Sequence, residues 1–171
     1  KLLKNIEKYS LILGSQSPRR QELLRGLQLE FTVKVLDVEE TYPYDLVGVD
    51  IPMYLARKKA EAYVIDDETL LITADTIVWH EGKVFGKPTD KADAKRMLQQ
   101  LSGKTHQVIT GVCVKTLKKQ RVFHVISDVR FAHLTEDEIE YYLNNFYDSL
   151  SKNKKTNKIE NKYGLNYSTQ P

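Results

Sequence analysis

The stretch Ser15-Gln-Ser-Pro-Arg-Arg-Gln-Glu-Leu-Leu24, together with the apolar run Tyr9-Ser-Leu-Ile-Leu-Gly14 before it, decides the fold. The run reads as a buried strand. The segment after it has apolar positions at Leu23, Leu24 and Leu27 that suit a helix. Ser17 is placed as its N-cap, and Pro18 takes the first helical position, where a missing N–H is harmless. Strand, turn and helix in that order put two hydroxyls and two arginines at a helix N-terminus. Unpaired N–H groups and the helix dipole make such an end an anion site, and the planar forks of Arg19 and Arg20 suit phosphate oxygens. Polyphosphate is the natural ligand. An ordinary capped helix with two solvated arginines would carry the same letters, so this stretch alone leaves both readings open.

Working outward, strands and helices interleave. Residues 31–38 alternate as a strand that ends in Glu39-Glu40, and Pro43, Gly48 and Pro52 keep the next stretch from forming any long element. Residues 53–63 read as a helix with an apolar stripe at Leu55, Ala56, Ala60 and Tyr63. Residues 69–79 form the strongest strand, and a second, 83–87, leaves the short turn His80-Glu-Gly82. A helix over 90–101 stops at Ser102-Gly103, strands come next over 106–116 and 121–134, and Thr135 caps a helix over 136–144. The pattern predicts an α/β fold with a mixed sheet.

At 171 residues, 41% hydrophobic and 29% charged, the chain has the composition of one globular domain. Its longest apolar runs fall far below the ~20 residues of a membrane span. The single Cys113 excludes an internal disulfide framework and reads as core filler in a strand; a reducing compartment, the cytoplasm, is the expectation. Residues 1–143 hold 21 Lys/Arg and 21 Asp/Glu, so the net charge of +3 belongs to residues 144–171. The neutral body argues against specific nucleic-acid binding. The division expected is a folded domain over 1–145 and an Asn/Lys-rich, poorly ordered tail over 146–171.

Asp75 is the second informative residue, an acid inside the apolar run Leu70-Leu-Ile-Thr-Ala-Asp-Thr-Ile-Val78. It is either a strand residue facing water or a metal ligand or general base in a cleft. Glu39 and Glu40 are a solvated turn unless one converges with Asp75. Carboxylates for Mg²⁺ beside cations for phosphate would then equip the site for phosphoryl chemistry. Lys59, in a lysine-rich helix, is surface charge or a phosphate contact, and Lys87 in a Gly-Lys-Pro turn has the same two readings. Gly103-Lys104-Thr105 is no P-loop: Leu98 stands where that motif needs its first glycine, and a helix precedes it. The four histidines lack zinc spacing, and His124 and His133 read as strand positions.

In this order SQSPRRQELL, EE, YLARKKA, ITADTIV, GKP and LSGKTHQVITGV resemble the Maf family of nucleoside triphosphate pyrophosphatases over residues 11–143. The resemblance implies an inosine-triphosphatase-like α/β fold, with a long mixed sheet, flanking helices and a central cleft between two lobes. It implies hydrolysis of a nucleoside triphosphate to monophosphate and pyrophosphate with Mg²⁺ or Mn²⁺, with dTTP and UTP as the substrates of the similar branch. By position, Asp75 resembles the proton acceptor and, with Glu40, a metal contact. Ser15, Arg19, Arg20, Lys59 and Lys87 resemble the phosphate-binding set, and Arg19 and Thr76 positions linked to substrate choice. Family members often pair as homodimers. A catalytically impaired nucleotide-binding relative with a role in cell division is the alternative. The resemblance lapses after TEDEIEYYL, where NNFYDSLSKNKKTNK replaces the family's DKAGAYGIQ-type segment.

Overall fold

The computed structural model describes residues 5–152. Within them run β1 (Ser10–Leu13), α1 (Pro18–Gly26), β2 (Thr32–Val33), α2 (Asp50–Glu61) and β3 (Thr69–His80). Next come β4 (Lys83–Phe85), α3 (Lys91–Leu101), β5 (Thr105–Lys115), β6 (Gln120–Arg130) and α4 (Glu136–Lys152). The strands make one sheet in the order β2-β1-β3-β5-β6, with β4 paired to β3. β1 runs parallel to β2 and to β3, whereas β4 is antiparallel to β3, so the sheet is mixed as expected. Parallel neighbours need crossovers, which α1 and α2 supply. By contacts the chain gathers into two compact units, Lys1–Thr76 with Thr110–Val125, and Ile77–Ile109 with Ile126–Pro171.

In the first unit, Ala56 and Ala60 of α2 pack with Tyr63, with Leu71 of β3 and with Cys113 of β5; Ile12, Ile65 and Val122 close around them. Alanines on this face let the helix lie close to the strands. The closest approach is at Gly111, where a Cβ would meet the Pro52 carbonyl carbon and oxygen at 2.3 Å. Thr73 donates its hydroxyl to the Ala56 carbonyl at 2.7 Å, tying β3 to the same helix. Cys113 is fully buried, which pushes its thiol pKa up and fits the core role expected of it.

In the second unit α3 packs on α4 through Ala94, Ile139 and Leu143, flanked by Leu98, Leu134, Tyr142 and Tyr147. His80 and His106 are buried there; the His106 ring lies 4.9 Å from Phe131, and His80 sits edge-on to Phe85. Burial, and then the charge of His80, holds the His106 pKa below its ordinary value. The unfolded chain therefore binds this proton more readily than the folded one. The stability owed to neutral His106 is complete above the ordinary histidine pKa and is lost as pH falls through and below it. Thermal midpoints should drop between pH 7 and pH 5, and His106→Leu should flatten that slope. An unchanged slope in the variant would place the pH dependence elsewhere.

Several boundaries differ from the sequence reading, each for a physical reason. β2 covers only Thr32–Val33, because its partner β1 ends at Leu13 and Gly14 leads away into the turn. The expected helix over 53–63 instead begins at Asp50, with Pro52 inside its first turn, where no intrahelical N–H bond is needed. The final helix continues past Asn144 to Lys152, as Tyr147 extends the apolar face that packs on α3. β6 stops at Arg130, so His133 lies in the connection to α4 and not in a strand. The remainder of the expected tail, from residue 153, lies outside the described residues. Between α3 and β5, Gly103 adopts a φ of +67°, the helix stop that the sequence suggested in place of a P-loop.

Candidate active site

The site of the first unit starts where β1 ends. Gly14 is required there, since a Cβ would fall 2.6 Å from the Tyr63 hydroxyl. The next residue, Ser15, is buried, and its Oγ accepts from the Ser17 amide at 3.2 Å and from Arg20 Nη1 at 3.1 Å. Ser17 caps α1 by accepting the Arg20 amide at 3.4 Å, with Pro18 opening the helix. Local capping chemistry thus places both arginines on the first turn. α1 buries none of its own residues fully, and Leu23 is 53% exposed.

Arg20 reaches across to β3. Nη1 also donates to the Ala74 carbonyl at 3.2 Å, and Nη2 donates to Thr76 Oγ1 at 2.9 Å. Burial works against its charge, while Asp75 and then Glu40 favour it. Between these two contacts sits Asp75, 7% exposed in mid-strand. Burial raises its carboxyl pKa, against the opposing pull of the Lys59 ammonium. Lys59, in the last turn of α2, donates to Asp75 Oδ1 at 2.9 Å and to the Ala74 carbonyl at 3.3 Å. The same ammonium lies 2.9 Å from Glu40 Oε1. Glu40 comes from the loop after β2, not from a strand end, and its side chain is largely exposed.

Two open readings close here. Asp75 does not face water, and Lys59 is no surface charge: its side chain is 18% exposed. The structure brings Ser15, Arg20, Glu40, Lys59, Asp75 and Thr76 into one linked set. Arg19 stands beside Arg20 on the first turn of α1, half-buried. Lys87 belongs to the second unit, on the connection between β4 and α3.

Sequence reasoning missed two members of the set. The Ala74 carbonyl is gripped by both Arg20 and Lys59, and the Thr110 hydroxyl of β5 lies 2.9 Å from Thr76 Oγ1. A backbone carbonyl has no sequence signal, and a threonine in an alternating run reads as ordinary strand propensity. Among the described residues no group of three or more His, Cys, Asp and Glu side chains gathers as a metal cage.

A buried carboxylate, an ammonium and a guanidinium thus meet beside the N-terminus of α1, on an α/β sheet. The fold is similar to that of the Staphylococcus aureus Ham1 protein, with a TM-score of 0.50 at 15% identity over 71% of each chain. The chain belongs to the Maf family: the model described as Maf-like protein matches residues 10–153. It is 55% identical over 148 residues to a dTTP/UTP pyrophosphatase of Bacteroides fragilis (strain YCH46), covering 85% of this chain and 77% of that one. A dTTP/UTP pyrophosphatase of Porphyromonas gingivalis (strain ATCC 33277) is 51% identical over 150 residues, covering 85% and 75%. That of Flavobacterium johnsoniae is 42% identical over 147 residues, covering 85% and 76%.

Proposed function

We infer that this chain hydrolyses dTTP and UTP to the monophosphate and pyrophosphate. The observation that carries this reading is the buried Asp75 carboxylate, 2.9 Å from Lys59 and flanked by the Arg20 contacts at Ala74 and Thr76. The names of relatives about half identical to it support the choice of substrate.

In this reading Asp75 takes the proton of the attacking water as its oxygen bonds to the α-phosphorus. The α–β anhydride bond breaks and its electrons leave on the pyrophosphate oxygen. The N-terminus of α1, Ser15, Arg19 and Arg20 hold the triphosphate, and Lys59 balances charge on the departing pyrophosphate. Arg19 and Thr76 act in substrate choice.

The donor chemistry fits a divalent ion. Asp75 Oδ1 and Glu40 Oε1 each lie 2.9 Å from the Lys59 ammonium, which stands between them. Mg²⁺ or Mn²⁺ accepts two carboxylates completed by water and phosphate, so the ion would take these two in place of the ammonium. Asp75 and Glu40 would hold it, and when bound it would neutralise phosphate charge. No described helix is long and apolar enough to cross a membrane.

Pyrophosphate release with Mg²⁺ from dTTP and UTP, measured beside ATP and GTP, tests the reading. The pyrimidine substrates should lead by about tenfold or more in kcat/KM. Equal rates on all four would overturn the substrate assignment, and no release from any would overturn the activity.

A further inference from the structure

We propose that Thr110 is a positioning residue for this reaction, the far anchor of an Arg20–Thr76–Thr110 clasp that fixes the peptide carrying Asp75. The inference rests on the proposed pyrophosphatase activity and adds a residue to it. Arg20 holds the chain on both sides of Asp75, through the Ala74 carbonyl at 3.2 Å and the Thr76 hydroxyl at 2.9 Å. A carbonyl is fixed by the backbone, but a hydroxyl turns about its Cβ–Oγ bond. The hydrogen bond between Thr76 Oγ1 and Thr110 Oγ1 at 2.9 Å, in whichever direction it runs, restricts that turning and holds Thr76 as the acceptor of Arg20.

Thr110 is itself well anchored. At the adjoining Gly111 the strand passes so close to the first turn of α2 that a Cβ would fall 2.3 Å from the Pro52 carbonyl, so β5 and α2 are in tight contact beside Thr110. The same helix carries Lys59 to Asp75. Lys59 and Thr110 thus come from one packed body of β3, β5 and α2, whereas Arg20 reaches in from α1. Valine would match the shape and strand preference of Thr110, which leaves the hydroxyl as its distinctive contribution. Guanidinium donors already given to Ser15, Ala74 and Thr76 also cast Arg20 as a staple as much as a phosphate ligand.

The test is pyrophosphate release from dTTP by wild type, Thr110→Val, Thr110→Ser, Thr76→Val and the Thr76→Val/Thr110→Val pair, with thermal midpoints for each. Thr110→Val should lose about tenfold in kcat with KM held within about twofold, and Thr110→Ser should recover most of that loss. On the Thr76→Val background the Thr110→Val change should cause no further loss, because the clasp is already open. Should the valine variant fail to fold, Thr110→Ala takes its place. Wild-type kcat in folded Thr110→Val, an equal loss on the Thr76→Val background, or no rescue by serine would each overturn the proposal. A silent wild type would overturn the proposed function and the clasp together. An active wild type that loses its activity in Asp75→Asn but not in Thr110→Val would overturn the clasp alone.

Discussion

Asp75→Asn should lower kcat by about 10²–10⁴-fold, the range expected when a general base is removed, with little change in the thermal midpoint. Asparagine keeps the shape of the side chain and an oxygen that can still accept from Lys59, now at 2.9 Å from Asp75 Oδ1. Lys59 also keeps Glu40 as an anionic partner at 2.9 Å, so the substitution leaves no isolated buried ammonium. Burial disfavours the aspartate charge in the folded protein, and replacing it with a neutral isostere relieves that cost. Activity and stability should therefore part company. A folded variant retaining more than about a tenth of wild-type kcat would remove Asp75 from the proton-accepting role.

Gly111→Ala should be the most damaging small substitution in the first unit. The added methyl would sit 2.3 Å from the carbonyl carbon and oxygen of Pro52 and 2.5 Å from the Met53 amide. These are backbone atoms in the first turn of α2, and no side-chain rotation relieves the overlap. Either α2 moves off the sheet or β5 bends. The former breaks the packing of Ala56 and Ala60 on Leu71 and Cys113. Overpacking of this kind costs about 1–3 kcal/mol and more where backbone must move, so a fall of roughly 10 °C in midpoint is expected. Lys59 rides on the displaced helix, so kcat should fall as well. Wild-type stability in this variant, by thermal or urea unfolding, would show that the helix can yield at no cost.

Much of the fold was legible because the signals were local. Ser17 with Pro18, and Thr135, each mark a helix start by capping chemistry that needs no knowledge of the rest of the chain, and both helices begin there. The burial of Asp75 was one of two open readings, since a strand covered on both faces cannot be told by alternation from one that faces water. Thr73, Ala74 and Asp75 are in fact all buried. The extent of β2 depended on where β1 ends, and the start of α2 on a proline that the first helical turn tolerates. Glu40 offered no more than a pair of acids in a turn. Its meeting with Asp75 depends on α2 carrying Lys59 between them, a tertiary fact. Thr110 had no distinguishing mark at all.

Helix α1 buries none of its residues fully, although it carries both Arg19 and Arg20. Its hold on the protein runs through the Ser17 cap and the reach of Arg20 to β3 more than through a hydrophobic face. A segment so attached should open more readily than the packed body beneath it, an expectation that faster amide-proton exchange in α1 would bear out. A triphosphate seated on its first turn would then do two things at once. It would supply the reacting group, and it would slow the fraying of the element that holds it, so that part of the binding energy appears as order in α1.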